Sequence, residues 1–295
     1  EGMKGYILES FEADEENKVF TLKLREGLKW SDGYPVTTED IRFTYEDVLL
    51  NEELSPIFPT LFRAQNDPEG MPMKVEIIDQ YTFRIMFDKP YGQFLSHLTI
   101  TGWASYQDLL KPAHYLKQFH IDYTPLEEMR PALDKENLGD AWWDLFHLKD
   151  FTFWELSQKE SAGFPTLTPW IMKPSEEVGV YVLERNPYFF VVDAEGNQLP
   201  YVDRIIGTHA LTAETRTMAC ITGQANIGDD TNLANLPLYK ENEAKGGYRT
   251  LLLDAHIEKG TIFFNLTYPD PAWREVVRDV RFRKAVSLGI DRSEI

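Results

Sequence analysis

Two short segments of the chain carry large apolar residues at every second position, which predicts strands with one buried face. Phe20, Leu22 and Leu24 are separated by single polar residues, and residues 81–87 repeat the pattern with aromatic and aliphatic side chains at every second position. Successive side chains of a strand point to opposite faces of a sheet, so this spacing fits a sheet covered on one side only. The first hundred residues therefore predict a small α+β lobe.

Between these strands the sequence predicts a turn and then a helix. Residues 31–33, Ser-Asp-Gly, are a strong turn signal. Thr37 or Thr38 can cap the helix, and Asp40 then lies near the positive end of its dipole. One apolar stripe follows at helical spacing: Ile41, Tyr45, Val48 and Leu49. A short helix is expected after the second strand as well, around residues 94–98.

The remainder of the chain is predicted in three parts. Residues 106–165 carry aromatic residues among charges without a period of two, which favours helices joined by loops. A second α/β lobe follows, and the final helix has Asp279 as its cap. In the second lobe the predicted strands are 178–183, 201–208, 247–253 and 261–268, and the predicted helix is 212–221.

Charge and cysteine content exclude several classes of function. The chain has 30 Lys and Arg against 48 Asp and Glu, a net charge of −18 that repels phosphate backbones and makes nucleic acid a poor partner. No apolar run is long enough to predict a membrane helix. Cys220 is the only cysteine, so neither an internal disulfide nor a cysteine-based metal site is available.

The sequence contains one candidate for a catalytic pair of side chains. The sequence has no phosphate loop, dinucleotide fingerprint, H-E-x-x-H or G-x-S-x-G motif. His114 and His120 are six positions apart, which predicts helix-surface side chains rather than a metal pair. His256 and Glu258 form a conceivable acid-base pair, and this keeps a secreted hydrolase as an alternative. We expect that the protein is not an enzyme and that it binds neither a cofactor nor a metal ion.

Four sequence blocks carry a family resemblance. Residues 20–45, FTLKLREGLKWSDGYPVTTEDIRFTY, resemble the signature block of the family 5 extracellular solute-binding proteins, which are peptide, dipeptide and nickel binding components of ABC importers. Three further blocks follow in the family's order: FDKPYGQFL at 87–95, VLERNPYFF at 182–190 and DVRFRKAVSLGIDR at 279–292. The segment 121–163 has no counterpart in this resemblance and is interpreted as an insertion.

The resemblance implies an α/β fold of the periplasmic-binding-protein-like type II class, a three-lobed Venus flytrap in which ligand is enclosed between lobes I and III. It assigns residues 1–105 to lobe II and 106–165 to a mainly helical connection and insertion. Residues 166–265 become the middle segment of lobe I, and 266–295 the start of a truncated lobe III. We therefore expect a fragment that lacks both ends of the full protein.

The resemblance also implies a function and a set of ligand-binding residues. The expected function is capture of oligopeptides outside the cytoplasm by hinge closure and delivery to a membrane permease with its ATPase; an oligosaccharide ligand is the alternative. We expect a monomer in the periplasm or on the extracellular face, anchored by lipid if the absent amino terminus carries an attachment site. The expected ligand-binding residues lie in two loops: Asp229, Asp230, His256, Gly260, Thr261 and Phe263.

Overall fold

The computed structural model describes residues 3–100, 106–175, 177–228, 233–252 and 262–291. The chain divides into two compact units, the first ending at His209 and the second beginning at Ala210. Every strand of the described residues belongs to the first unit. Since this division differs from the lobe boundaries implied by the resemblance and does not test them, those boundaries remain predictions.

The first unit contains two antiparallel sheets. The four-stranded sheet has the order β1-β2-β4-β3, with Phe20 opposite Ile85 and Leu22 opposite Phe83 in its two central strands. The three-stranded sheet has the order β5-β6-β7. The strands are β1 Leu8–Ala13, β2 Val19–Leu24, β3 Lys74–Ile77, β4 Thr82–Met86, β5 Trp170–Lys173, β6 Val180–Arg185 and β7 Arg204–Thr208.

The alternation in β2 and β4 is confirmed, because every second residue of both strands is buried. The helices of this unit are α1 Thr38–Arg42, which continues as a π-helix over Phe43–Leu49, α2 Phe94–Ile100, α3 Ala113–Leu116, α4 Leu126–Glu136 and α5 Trp142–Lys149. Single 3-10 turns lie at Thr60–Phe62, Ala64–Asn66, Tyr106–Asp108, Lys117–Phe119, Glu155–Ser157 and Lys159–Ser161.

The helix formed by α1 and its π-helical continuation separates two hydrophobic clusters. Ile41 and Leu49 belong to the cluster that covers the four-stranded sheet, together with the core strand residues. Phe43 and Val48 belong to the second cluster, which is built mainly from residues of 113–164. The predicted stripe is therefore divided between the clusters, because Val48 packs in the second one whereas Ile41, Tyr45 and Leu49 pack in the first.

Asp40 joins this helix to the chain before and after it. Its side chain is 3% exposed. Oδ2 accepts hydrogen bonds from Thr37 N at 3.0 Å and Trp30 Nε1 at 3.3 Å, and Oδ1 accepts one from Ala113 N at 3.0 Å. Thr37 is confirmed as the helix cap, in a capping box with Asp40. Asp40 therefore lies at the start of the helix, as predicted. Its hydrogen bond from Ala113 also connects this start to a residue 73 positions later in the chain.

A polar network fixes the segment after residue 113 to the same helix. The Arg42 guanidinium donates to Glu39, Glu46 and Asp47 and to the Tyr123 hydroxyl. Its hydrogen bonds lower the pKa of Glu39 to about 2, with burial opposing them and Lys117 adding a further contact. The segment interpreted from sequence as an insertion is thus attached to this helix through the Tyr123 hydroxyl and through the second cluster.

The turn at residues 31–33 is confirmed and depends on glycine. Gly33 has a φ of +91° and its N–H donates to the Trp30 carbonyl. A Cβ at this position would lie 2.9 Å from the Tyr188 hydroxyl. Ser31 and Thr166 also exchange hydrogen bonds, so the turn connects the first sheet to the segment that leads into β5.

The described part of the second unit is helical. Its helices are α6 Ala213–Ile221, α7 Leu236–Gly246, α8 Pro271–Arg278 and α9 Val280–Leu288, with a 3-10 turn at Leu233–Asn235. Asp279 caps α9, as the sequence predicts, and the predicted helix over 212–221 is confirmed as α6, with Thr212 as its cap. The helices α7 and α8 were not predicted.

Two predicted strands in the second unit are wrong over the residues that the structure describes. Gly247 has a φ of +68° and ends α7, and residues 248–252 and 262–268 have no strand pairing. The side chains of Leu251, Leu252 and Phe263 are exposed. A strand needs a hydrogen-bonding neighbour, and none is available among the described residues of this unit.

Replacing Phe83 with Ala should destabilise the chain strongly, whereas Arg84→Ala should not. Phe83 is 1% exposed in the core of the first sheet, so the substitution should cost about 3 to 5 kcal/mol. The neighbouring Arg84 pairs with Glu76 at 3.4 Å on the exposed face, and its loss should cost about 0.5 kcal/mol or less. Urea unfolding of both variants measures the difference, and equal losses would contradict the assigned faces.

The Asp40 carboxyl should titrate near pH 6. Burial outweighs the three donated hydrogen bonds and raises its pKa from 3.8 to about 6. The folded state therefore holds this proton more tightly than the unfolded chain, and the resulting stability is complete below about pH 4 and lost as the pH rises through 6. The loss amounts to roughly 3 kcal/mol.

Carbon-13 NMR of the aspartate carboxyl groups measures this titration, with Asp40→Asn identifying the signal. Unfolding of the wild type should also lose stability relative to Asp40→Asn between pH 4 and 6. A midpoint close to 3.8, or a wild type that gains relative stability over this interval, would show that the hydrogen bonds dominate instead.

Candidate functional site

Most of the predicted ligand-binding residues lie outside the described part of the chain. This holds for Asp229, Asp230, His256, Gly260 and Thr261, and also for Glu258 of the conceivable acid-base pair. Phe263 is described, and its side chain is 84% exposed in the second unit. An exposed aromatic ring is able to contact a ligand, but the whole set stays a prediction.

The loop that leads toward Asp229 begins with two constrained glycines. Gly223 has a φ of +72° and follows α6, and a Cβ there would lie 2.4 Å from the Gly246 carbonyl oxygen. At Gly228 a Cβ would lie 2.1 Å from the Cys220 sulfur. The sequence places glycine at both close approaches, so the path of this loop up to residue 228 is fixed by backbone packing against α6 and α7.

A cavity of about 520 Å³ lies within the first unit, in the size range of small-molecule sites. It forms where the end of the π-helix meets residues 54–66, Asp108 and Lys111, and the carboxyl-terminal end of α5. Its apolar lining is Val48, Leu49, Leu54, Pro59, Leu61 and Phe62. Its polar lining is Ser55, Thr60, Asn66, Asp108, Lys111, His147 and Asp150.

A largely buried ion pair lies in the wall of this cavity. Lys111 Nζ donates to Asp150 Oδ2 at 2.6 Å, and the two side chains are 13% and 12% exposed. The other carboxylate oxygen, Asp150 Oδ1, is buried and has no hydrogen-bond partner among the residues that the structure describes. A buried acceptor without a partner costs about 1 to 3 kcal/mol.

Local structure positions both members of the pair. The Lys111 backbone N–H donates to Thr44 Oγ1, which itself donates to the Asp40 carbonyl. Asp150 ends α5, and its N–H donates to the Phe146 carbonyl. The ion pair is therefore attached to the same helix start that Asp40 organises, and to the second hydrophobic cluster through α5.

The helix-surface prediction is wrong for His120. Its side chain is fully buried among aromatic rings of the second cluster. Nε2 lies 2.9 Å from the Asp47 carbonyl oxygen and Nδ1 accepts from Asp122 N, so both ring nitrogens have polar partners. His114 instead stacks on Tyr34 with ring centres 4.0 Å apart, and its Nε2 lies 2.7 Å from Asp32 Oδ2.

No group of three or more His, Cys, Asp or Glu side chains in the described residues has an arrangement suited to a metal ion. Among the helices of the described ranges, none has both the length and the apolar character needed to cross a bilayer.

The antiparallel sheets and the helices packed on one of them make this a mixed α/β protein, and the solved structures that it resembles place it in the periplasmic-binding-protein-like class. The family model for bacterial extracellular solute-binding proteins, family 5 middle region, matches residues 2–295. The chain belongs to this family, as its sequence blocks predict.

Similar proteins show the same fold and two classes of ligand. A solved structure of the oligopeptide-binding protein OppA is 35% identical, with a TM-score of 0.68 over 98% of this chain and 44% of that one. The periplasmic alpha-galactoside-binding protein of Rhizobium meliloti is 26% identical over 98% of this chain and 38% of its own length. MelB of Agrobacterium fabrum, solved with stachyose, is 23% identical with a TM-score of 0.57, which supports the fold alone.

The chain thus spans about two-fifths of the length of these relatives. OppA and the alpha-galactoside-binding protein are both named as binding proteins, and neither name describes an enzyme. The alternative of a secreted hydrolase receives no support from these two names.

Replacing Lys111 with Met should destabilise the first unit by about 2 to 4 kcal/mol, because the Asp150 carboxylate would stay buried without its cation. Adding Asp150→Leu should restore most of that loss, since the double variant removes both charges. Urea unfolding of the two single variants and the double variant gives the coupling energy. Additive losses would show that the two side chains do not act as a pair.

Proposed function

We propose that this chain is part of an extracytoplasmic receptor that captures oligopeptides and delivers them to the permease and ATPase of an ABC importer. The observation that carries the proposal is the 35% identity to oligopeptide-binding protein OppA over 98% of this chain. The matched family consists of extracellular solute-binding proteins, which supports a periplasmic or extracellular location. A net charge of −18 suits a monomer that stays soluble and away from anionic membrane surfaces.

The proposed mechanism is closure of lobes around the solute. A ligand that contacts both walls of a cleft binds the closed state more tightly and shifts the population toward it. Asp229 and Asp230 would accept hydrogen bonds from the amino group of a peptide. Main-chain groups near Gly260, Thr261 and Phe263 would pair with the peptide backbone, and His256 would lie beside them.

An oligosaccharide is the second candidate ligand. The similarity to an alpha-galactoside-binding protein over 98% of this chain favours it. The aromatic segment of the helical region supplies a further observation, because Phe153 and Trp154 are exposed while Trp142 and Phe146 are buried. Exposed aromatic rings offer flat apolar faces on which sugars stack.

The experiment is titration calorimetry on a protein of the relatives' full length that contains this chain, with a tripeptide mixture and with stachyose. The proposal expects micromolar or tighter binding of peptide and none of stachyose. Stachyose binding without peptide binding would replace the first candidate by the second. A protein that binds neither ligand would contradict both.

The 295-residue chain by itself should bind neither ligand tightly. The chain spans about two-fifths of its relatives' length, and the family resemblance assigns it only the start of lobe III, which forms one wall of the cleft. A partial site makes fewer contacts with the ligand and excludes less water from it. The same calorimetric titration measures this. Micromolar binding by the chain alone would contradict the assignment of residues to lobes.

Replacing Asp229 and Asp230 together with Ala should weaken peptide binding by the full-length protein by roughly 1 to 3 kcal/mol. The expected loss is that of a charged hydrogen bond to the peptide amino group. Asn at both positions is the matched control, since it keeps the size and one acceptor while removing the charge. Unchanged affinity in the folded Ala variant would remove these carboxylates from the site and favour a neutral sugar.

A further inference from the structure

A second cavity, the core cavity, lies within the first unit against the four-stranded sheet and has a volume of about 150 Å³. Leu22 and Leu24 of β2, Phe83 of β4 and Ile41 of α1 form part of its wall. The rest of the wall consists of Ile7, Leu8, Leu61, Phe62, Leu98, Tyr106, Asp108, Leu109 and Leu110. None of the six residues proposed to contact the transported solute lines it, so its ligand is independent of the proposed function.

Core packing holds this wall in place. Leu22, Leu24, Phe83 and Ile41 are almost fully buried, and all four belong to the cluster that covers the sheet. Closely packed protein interiors contain few voids larger than a water molecule. A void of about 150 Å³ among such side chains is therefore preformed space, which a ligand can fill without moving the wall.

The polar groups of the wall do not favour water as the occupant. A buried water makes about three hydrogen bonds to polar groups that lack other partners. The Tyr106 hydroxyl lies 2.9 Å from Thr166 Oγ1 and accepts from Leu167 N at 2.8 Å. Asp108 is an exposed residue, so its charge lies at the solvent edge of the cavity. The interior of the cavity is therefore a hydrocarbon surface.

The size and the edge of the core cavity define the ligand. A dry cavity of about 150 Å³ lined by leucine, isoleucine and phenylalanine holds a single benzene ring. Ile7, Leu8, Leu61 and Leu98 are only partly buried, and they form the edge at which a ligand enters. A carboxylate would lose its hydration there without gaining a cation, since the described lining contains no Lys, Arg or His.

We propose that the core cavity is a binding site for a small neutral aromatic molecule, a single ring of the size of benzene or toluene. The ring lies against Leu22, Leu24 and Phe83, and it is held by dispersion and by the removal of apolar surface from water. No covalent step is involved. The bound ligand stabilises the folded first unit, because the unfolded chain has no such cavity.

Calorimetric titration of the chain with toluene, phenol and benzoate tests the site, because these probes share one ring and differ in a single substituent. Toluene should bind at least about tenfold more tightly than phenol, whose hydroxyl would be buried without a partner, and benzoate should not bind. Toluene should also raise the midpoint of thermal unfolding. Phenol or benzoate binding as tightly as toluene, or no binding of toluene, would overturn the proposal.

Two variants and a control locate the binding. Leu98→Trp places a larger ring at the edge of the core cavity and should weaken toluene binding at least about tenfold. Ile7→Trp narrows the same space from the segment before β1 and should have the same effect. Leu148→Trp makes the same substitution as the first variant at an exposed position of α5 outside the lining, and should leave the affinity unchanged.

Circular dichroism establishes whether each variant is folded. If one of the two filling variants fails to fold, the other one decides, and if both fail, the order of the three probes in the wild type decides. Unchanged toluene affinity in a folded filling variant would place the ring elsewhere and overturn the proposal.

Discussion

A buried carboxylate organises the first unit of this protein. Asp40 closes the start of α1, accepts the indole N–H of the core residue Trp30 and accepts the N–H of Ala113 at the start of α3. Three donors converge on one small group that is almost without contact to solvent. An uncharged amide has one acceptor oxygen and cannot satisfy donors on both sides. Local helix capping and the long-range attachment of the helical segment therefore depend on the same side chain.

The sequence predicts elements whose signals are local. The alternation in β2 and β4, the turn ending at Gly33, the cap at Thr37 and the cap at Asp279 all require only neighbouring residues, and the structure confirms each one. The helix α7 escapes prediction because Tyr239 is its only buried residue and no apolar stripe forms. The helix α8 begins with an Asp-Pro pair, in which Asp270 is the cap, and this local start signal makes it predictable from sequence in principle.

Features that depend on distant residues were beyond prediction. Lys111 and Asp150 are 39 positions apart, and no spacing rule brings them together. His120 carries the same sequence signals as a surface histidine, and only the packing of Phe43, Trp142 and Phe146 around it makes it a core residue. The candidate residues of the solute-binding site come from the family resemblance. Composition alone does not distinguish them from ordinary loop residues.

The position of one helix between two hydrophobic clusters has a consequence for dynamics. Opening the helical segment would expose Phe43 and deprive the Asp40 carboxylate of the Ala113 donor, while opening the sheet would expose Ile41. The sheet and the helical segment share this helix, so opening either one exposes buried groups of the helix. Protection against amide exchange should therefore extend from β4 into α5 as one cooperative unit.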